Sequence, residues 1–134
     1  MSQDETVASS APLLVQQQEG LCQLTLNRPQ RANALDASLT EALLRALQQC
    51  AGNGTRLLVL RGAGRNFCGG FDLSDADSAG EGELLRRFVR IEQVLQALWH
   101  APHAVLALAH GRNAGAGTDL FLAAGLRVCS SDAA

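Results

Sequence analysis

The sequence predicts an α/β domain with mostly parallel strand pairing, and three observations carry that expectation. Short apolar runs of strand length alternate with segments whose apolar residues recur at helical spacing. Glycine-rich loops, residues 62–73 and 111–117, each follow one of the short runs. Hydrophobic residues make up 47% and charged residues 18% of the 134, enough apolar material for one core.

Residues 1–12 are acidic and rich in Ser and Ala and read as a disordered lead-in, leaving 13–134 as the domain. Leu13-Leu-Val15 and Leu21-Cys-Gln-Leu-Thr-Leu26 are strand-like, with Glu19-Gly20 as the turn between them. Asn27-Arg-Pro-Gln-Arg-Ala-Asn33 is a polar loop. A helix then begins near Asp36 or Ser38, where Ser38-x-x-Glu41 has capping-box spacing. Its stripe is Leu39, Leu43, Ala46 and Leu47, and Gly52-Asn-Gly54 stops it. Arg56-Leu-Leu-Val-Leu-Arg61 reads as a strand buried on both faces.

After the first glycine loop, residues 74–83 are acidic and small and read as a mobile segment. A second helix is expected from about Glu83 to His100, with Leu84, Phe88, Ile91, Leu95 and Leu98 facing the core. Pro102 breaks it, and residues 103–109 read as another buried strand. Beyond the second glycine loop, residues 118–124 open a helix, and Leu126-Arg-Val-Cys129 begins one more strand.

Composition removes several classes of function. Thirteen acidic and eleven basic side chains give a net charge of −2, with no dense basic stripe. Nucleic acid and anionic membrane are therefore poor partners. Every basic residue is arginine, which excludes a Schiff-base lysine and a P-loop lysine. No apolar run approaches the ~20 residues of a spanning helix, and the start resembles neither a secretion signal nor a mitochondrial presequence. Cys22, Cys50, Cys68 and Cys129 are scattered without a C-x-x-C pair. That spacing argues against a metal site or disulfide framework and for reduced thiols in a cytoplasmic setting.

The two glycine loops are the chemical clue. Glycine lets a backbone approach a ligand closely, and a loop entering a helix exposes uncapped N–H groups at the positive end of the helix dipole. Two such loops converging would form a two-donor oxyanion hole, suited to a thioester carbonyl becoming an enolate. The competing reading is that the glycines serve only tight turns and close helix–strand packing. A dinucleotide fingerprint is excluded, because Gly62-Ala-Gly64 is followed by Phe67 and Gly115-Ala-Gly117 by Leu120, not by the third glycine.

Three segments carry a resemblance. Leu26-Asn-Arg-Pro-Gln-Arg-Ala-Asn-Ala-Leu-Asp36 resembles the N-terminal motif of the enoyl-CoA hydratase/isomerase (crotonase) family. Leu58-Val-Leu-Arg-Gly-Ala-Gly-Arg-Asn-Phe-Cys-Gly-Gly-Phe-Asp-Leu73 is similar to its strand and first oxyanion loop, and His110-Gly-Arg-Asn-Ala-Gly-Ala-Gly-Thr-Asp-Leu120 to its second. The match runs over about residues 13–131 in family order. It implies a ClpP/crotonase spiral of ββα units, with the Phe71 and Ala116 N–H groups as oxyanion donors. It places Asp119 where hydratases carry a catalytic glutamate, one methylene longer. It lines the coenzyme A arm with Arg31, Ala32, Gly69, Gly70, Asp72 and Leu73, and Arg31 or Arg65 would meet the phosphates.

The resemblance thus implies hydration or isomerisation of a 2-enoyl-CoA, with coenzyme A arriving as part of the substrate and no separate cofactor or metal. Family members are longer, so the chain reads as a truncated, N-terminal half whose second acid and oligomer-forming helices would lie beyond Ala134. A homo-oligomer is expected if the protein is complete. Gly125 stands where the family usually has an aspartate. The alternative is a catalytically inactive half-domain acting only in binding or oligomer assembly, with the apolar faces of residues 84–98 and 105–108 partly uncovered. For Asp119 itself, a solvated acid in the first helical turn is the competing role. His100 and His103 flank Pro102 and share no helix face, so no metal pair is expected. His110 is expected to bond locally, Asp72 to hold its loop, and Trp99 to anchor a core or interface. Asp75, Asp77, Glu81 and Glu83 lack the EF-hand pattern and read as a solvated edge.

Overall fold

Period-two patterning folds the first two strands into a hairpin. β1 (Leu13–Gln18) pairs antiparallel with β2 (Leu21–Leu26), Leu13 opposite Leu26 and Gln18 opposite Leu21. Both turn residues are left-handed, Glu19 at φ 45° and Gly20 at φ 87°, the geometry that matches the twist of the flanking strands. These features come from a computed structural model that describes residues 10–74 and 76–134. Most of the expected lead-in, residues 1–9, and Asp75 of the acidic segment lie outside the described residues. Asn27 donates to the Pro12 carbonyl from its amide at 2.8 Å and to the Ala11 carbonyl from Nδ2 at 2.9 Å.

β2 pairs parallel with β3 (Leu57–Gly62), β3 with β4 (Ala104–Ala109), and β4 with β5 (Leu126–Cys129). The sheet order is β1-β2-β3-β4-β5, so only the edge hairpin is antiparallel. Each parallel step needs a crossover, supplied in turn by α1 (Ala37–Cys50), α2 (Glu81–Trp99) and α3 (Ala116–Ala123). The expected α/β class and parallel pairing stand.

α1 starts at the first of its two candidate caps. Asp36 is extended and its Oδ1 accepts from the Leu39 amide at 2.8 Å, while Ser38 lies inside the first turn. The helix buries Leu39, Leu43, Leu44, Ala46 and Leu47 in the same core cluster as Leu24 and Leu26 of β2 and Leu58 and Leu60 of β3. Leu58, Val59 and Leu60 are buried in succession, so both faces of β3 are covered. β4 departs from expectation: Val105, Ala107 and Ala109 are buried, but Leu106 and Leu108 are only partly so. Leu108 opens into a cavity with Val128 and Cys129, and β5 itself is exposed along its length.

The core stripe of α2 is also turned from the expected one. Its buried residues are Arg87, Ile91, Val94 and Leu98; Leu84 and Leu95 are half-buried and Phe88 is 53% exposed. Trp99 is 69% exposed and is not a core anchor. α3 begins at Ala116, two residues before the expected start, and buries Gly117 and Leu120. Among the described residues, no helix is long and apolar enough to cross a membrane.

Candidate functional site

Because β2, β3 and β4 are parallel, the loops that leave them emerge at one end of the sheet, the usual place for a ligand in an open α/β sheet. Backbone hydrogen bonds stitch the three loops together. The Phe67 amide donates to the His110 carbonyl at 2.8 Å, Gly69 to Ala32 at 2.8 Å, and Ala114 to Cys68 at 3.2 Å. Leu35 donates to the Gly70 carbonyl at 2.7 Å and accepts from the Asp72 amide at 3.0 Å. Asn33, fully buried at φ 56°, pins the centre: Nδ2 donates to the Ala63 and Asn66 carbonyls at 2.9 and 2.8 Å, and Oδ1 accepts from the Arg28 amide. His110, expected to bond locally, instead reaches across to the first glycine loop, Nε2 lying 2.7 Å from the Gly64 carbonyl 46 residues away.

Two glycines set how closely the loops meet. A Cβ on Gly70 (φ 97°) would stand 2.6 Å from the Ala114 carbonyl oxygen and 3.6 Å from the Ala116 nitrogen. A Cβ on Gly117 would stand 2.2 Å from the Cys68 carbonyl oxygen. The first glycine loop therefore lies directly against the start of α3. At that junction the Phe71 and Ala116 amides have no hydrogen-bond acceptor among the described residues. Cys68, beside them, is a structural thiol: its Sγ meets the Asn33 carbonyl at 3.3 Å, and burial pushes its pKa up to about 11.

Asp72 is committed to its own loop. Its Oδ1 accepts from the Ser74 amide at 2.9 Å and its Oδ2 meets Arg28 Nη2 at 3.0 Å. Arg28 also donates to the Ala34 carbonyl and lies 3.5 Å from the Asp36 carboxylate, joining the cap of α1 to the loop. The Ser74 amide is the main influence lowering the Asp72 pKa from 3.8 to about 2; the Ser74 side chain and Arg28 add to it, and burial opposes. The folded value lies below the unfolded one, so this stabilisation is complete above about pH 4 and is lost as pH falls toward 2. Chemical denaturation should show a loss of roughly 2 kcal/mol across that window, absent in Asp72→Asn. An unchanged slope in the variant would remove Asp72 as its source.

The remaining expected site residues divide. Ala32, Gly69, Gly70 and Asp72 belong to the stitched loops, whereas Arg31, Arg65 and Leu73 lie exposed around them. Asp119 is exposed in the first turn of α3 and lines a groove with Glu92, Leu95, Gln96 and Trp99 of α2; that groove includes neither Phe71 nor Ala116. Sequence reasoning missed three residues. Asn33 could be suspected because asparagine tolerates the left-handed region. Arg28 answers the need of a buried Asp72 for a cation in a lysine-free chain. Arg87, buried on α2, donates to the Asp72 carbonyl from Nη2 at 2.8 Å, and its guanidinium lies 4.3 Å from the Phe71 ring centroid. The Phe71 ring also stacks on Phe88 at 4.5 Å.

With this geometry in place, the likeness to known proteins has a structural meaning. The family model described as enoyl-CoA hydratase/isomerase matches residues 16–134. A Rhodobacter capsulatus protein named a probable enoyl-CoA hydratase is 43% identical over 118 residues, covering 87% of this chain and 45% of the relative. The 1,2-epoxyphenylacetyl-CoA isomerase of Escherichia coli is 32% identical over 121 residues, covering 87% and 46%. Among solved structures, the enoyl-CoA hydratase of Mycobacterium smegmatis superimposes with a TM-score of 0.87 at 34% identity, over 91% of this chain and 49% of that one. The chain spans about half the length of the relatives it matches.

Proposed function

The chain belongs to the enoyl-CoA hydratase/isomerase family, and from that premise we propose that it binds an acyl-CoA thioester and holds the developing enolate oxygen between the Phe71 and Ala116 amides. The observation that carries this reading is the pair of acceptor-free N–H groups at a junction that Gly70 and Gly117 keep close. Ala116 heads α3, so the helix dipole adds to its attraction for negative charge. Donors set in place before the substrate arrives need no reorganisation as charge develops on the oxygen.

Asp119 is the proposed proton carrier, for water adding across a 2-enoyl double bond or for a migrating α-proton. It follows Ala116 by three residues, so both lie toward one side of α3. Arg31, Ala32, Gly69, Gly70, Asp72 and Leu73 are proposed to line the coenzyme A arm, with exposed Arg31 or Arg65 meeting its phosphates. No further cofactor enters this reading. A cytoplasmic setting is proposed, and self-association through the exposed β5 edge, where Leu126 and Val128 are more than half exposed. A second reading, binding without turnover, is favoured by the separation of the Asp119 groove from the amide junction.

Calorimetric titration with acetoacetyl-CoA and with free coenzyme A tests the enolate site. The thioester, readily enolised, should bind at least about tenfold more tightly. Equal affinities would overturn the oxyanion assignment. Crotonyl-CoA then separates the readings: hydration supports Asp119 as acid/base, and binding without turnover supports the second.

A further inference from the structure

A guanidinium in the core-facing stripe of a helix is costly unless its charge and donors are matched. Arg87 is 6% exposed, in line with Ile91, Val94 and Leu98 on α2. Two of its contacts are to the backbone and ring of the first glycine loop, while its Nε is buried without a hydrogen-bond partner among the described residues. Nη2 donates to the Asp72 carbonyl at 2.8 Å, and the guanidinium carbon lies 4.3 Å from the Phe71 ring centroid. Phe88, the next residue on α2, stacks on the same ring at 4.5 Å and 17°. Residues 71 and 72 are thus gripped from α2 through both side chain and main chain.

The consequence follows from peptide geometry. A trans peptide is planar, with its C=O and N–H pointing in opposite directions. The peptide joining Gly70 to Phe71 is anchored by its carbonyl on the Leu35 amide, at 2.7 Å, which turns the Phe71 N–H away from the 32–36 loop. The next peptide is anchored by the Asp72 amide on the Leu35 carbonyl, at 3.0 Å. The third, joining Asp72 to Leu73, is anchored by Arg87. Three consecutive peptides each carry one anchor, and the free donor lies in the first. Resting on the enolate reading above, we propose that Arg87 is a positioning residue, which acts through the Asp72 carbonyl and the Phe71 ring to hold the Phe71 N–H in line with the thioester oxygen. It touches no substrate itself.

Arg87→Met keeps an apolar stem and removes the planar donor; Arg87→Lys keeps the charge and an N–H donor group but not the flat contact with the ring. In the ligand-free full chain, 15N relaxation should show the Phe71 amide falling from an order parameter of about 0.85 toward 0.6 in Arg87→Met, with Ala116 unchanged and Arg87→Lys in between. In titrations, the preference for acetoacetyl-CoA over free coenzyme A should fall about tenfold while affinity for coenzyme A alone holds. A folded Arg87→Met with a wild-type Phe71 amide and an unchanged preference overturns the proposal. If Arg87→Met does not fold, Arg87→Lys serves in its place, and a Phe71 amide as rigid there as in the wild type with an unchanged preference overturns it equally. Should the wild-type chain show no preference for acetoacetyl-CoA, the enolate reading fails, and the ligand-free relaxation still decides whether Arg87 holds the amide.

Discussion

Gly117→Ala is expected to lower the melting temperature by about 6 °C, although alanine is the better helix former by about 1 kcal/mol. Gly117 is the second residue of α3, and a Cβ there would meet the Cys68 carbonyl oxygen at 2.2 Å and the Cys68 carbonyl carbon at 2.9 Å. The obstacle is backbone, so no rotamer change relieves it. The first glycine loop must move away from α3, weakening the 3.2 Å bond from the Ala114 amide to Cys68. Overpacking of this kind costs about 3 kcal/mol, which outweighs the helical gain. Gly82→Ala is the control of opposite sign. It lies inside α2 with no atom within 4 Å of the added Cβ, so calorimetry should show a rise of about 3 °C. Equal responses from the two variants would mean that the loop and helix are not in contact.

Ala116→Pro should reduce affinity for acetoacetyl-CoA, and any turnover of crotonyl-CoA, by about 100-fold while preserving the fold. Ala116 is the first residue of α3, where proline is well tolerated because that N–H has no helical partner. The preceding residue is Gly115, which has no Cβ to clash with the pyrrolidine ring. The substitution therefore removes the donor and little else. Circular dichroism should match the wild type, and affinity for free coenzyme A should stay within about twofold, since on the proposed reading the donor meets the acyl oxygen and not the coenzyme arm. Undiminished turnover in the folded variant would sink the two-amide mechanism.

Much of this architecture is readable along the chain. Glu19-Gly20 announces the hairpin turn, the run at 57–60 announces a strand covered on both sides, and the two glycine loops announce the junction. The readings that changed are those where hydropathy alone is an incomplete guide. Helical periodicity treats arginine as polar, so the stripe of α2 was expected through Phe88 and not through Arg87. The register turns toward the Asp72 carbonyl and the Phe71 ring, which the guanidinium meets and which do not lie on the helix. Asp36 and Ser38 are equally plausible caps for α1 in sequence. Asp36 takes the role in a loop already held by Arg28, 3.5 Å away, and by the Leu35 bonds to Gly70 and Asp72.

By itself, then, the sequence determined the α/β class, the order of strands and helices, and the two loops whose glycines permit close backbone approach. These are consequences of side-chain period and backbone freedom, which act within a few residues. Tertiary structure alone decided which polar groups answer one another. Arg28 meets Asp72 across 44 residues and Asn33 reaches Asn66 across 33. It likewise decided that, among the described residues, the Phe71 and Ala116 amides are left without acceptors while the Asp72 and Gly117 amides next to them are bonded. Buried hydrogen-bonding groups must find partners wherever the fold brings them, and spacing along a chain does not encode those distances.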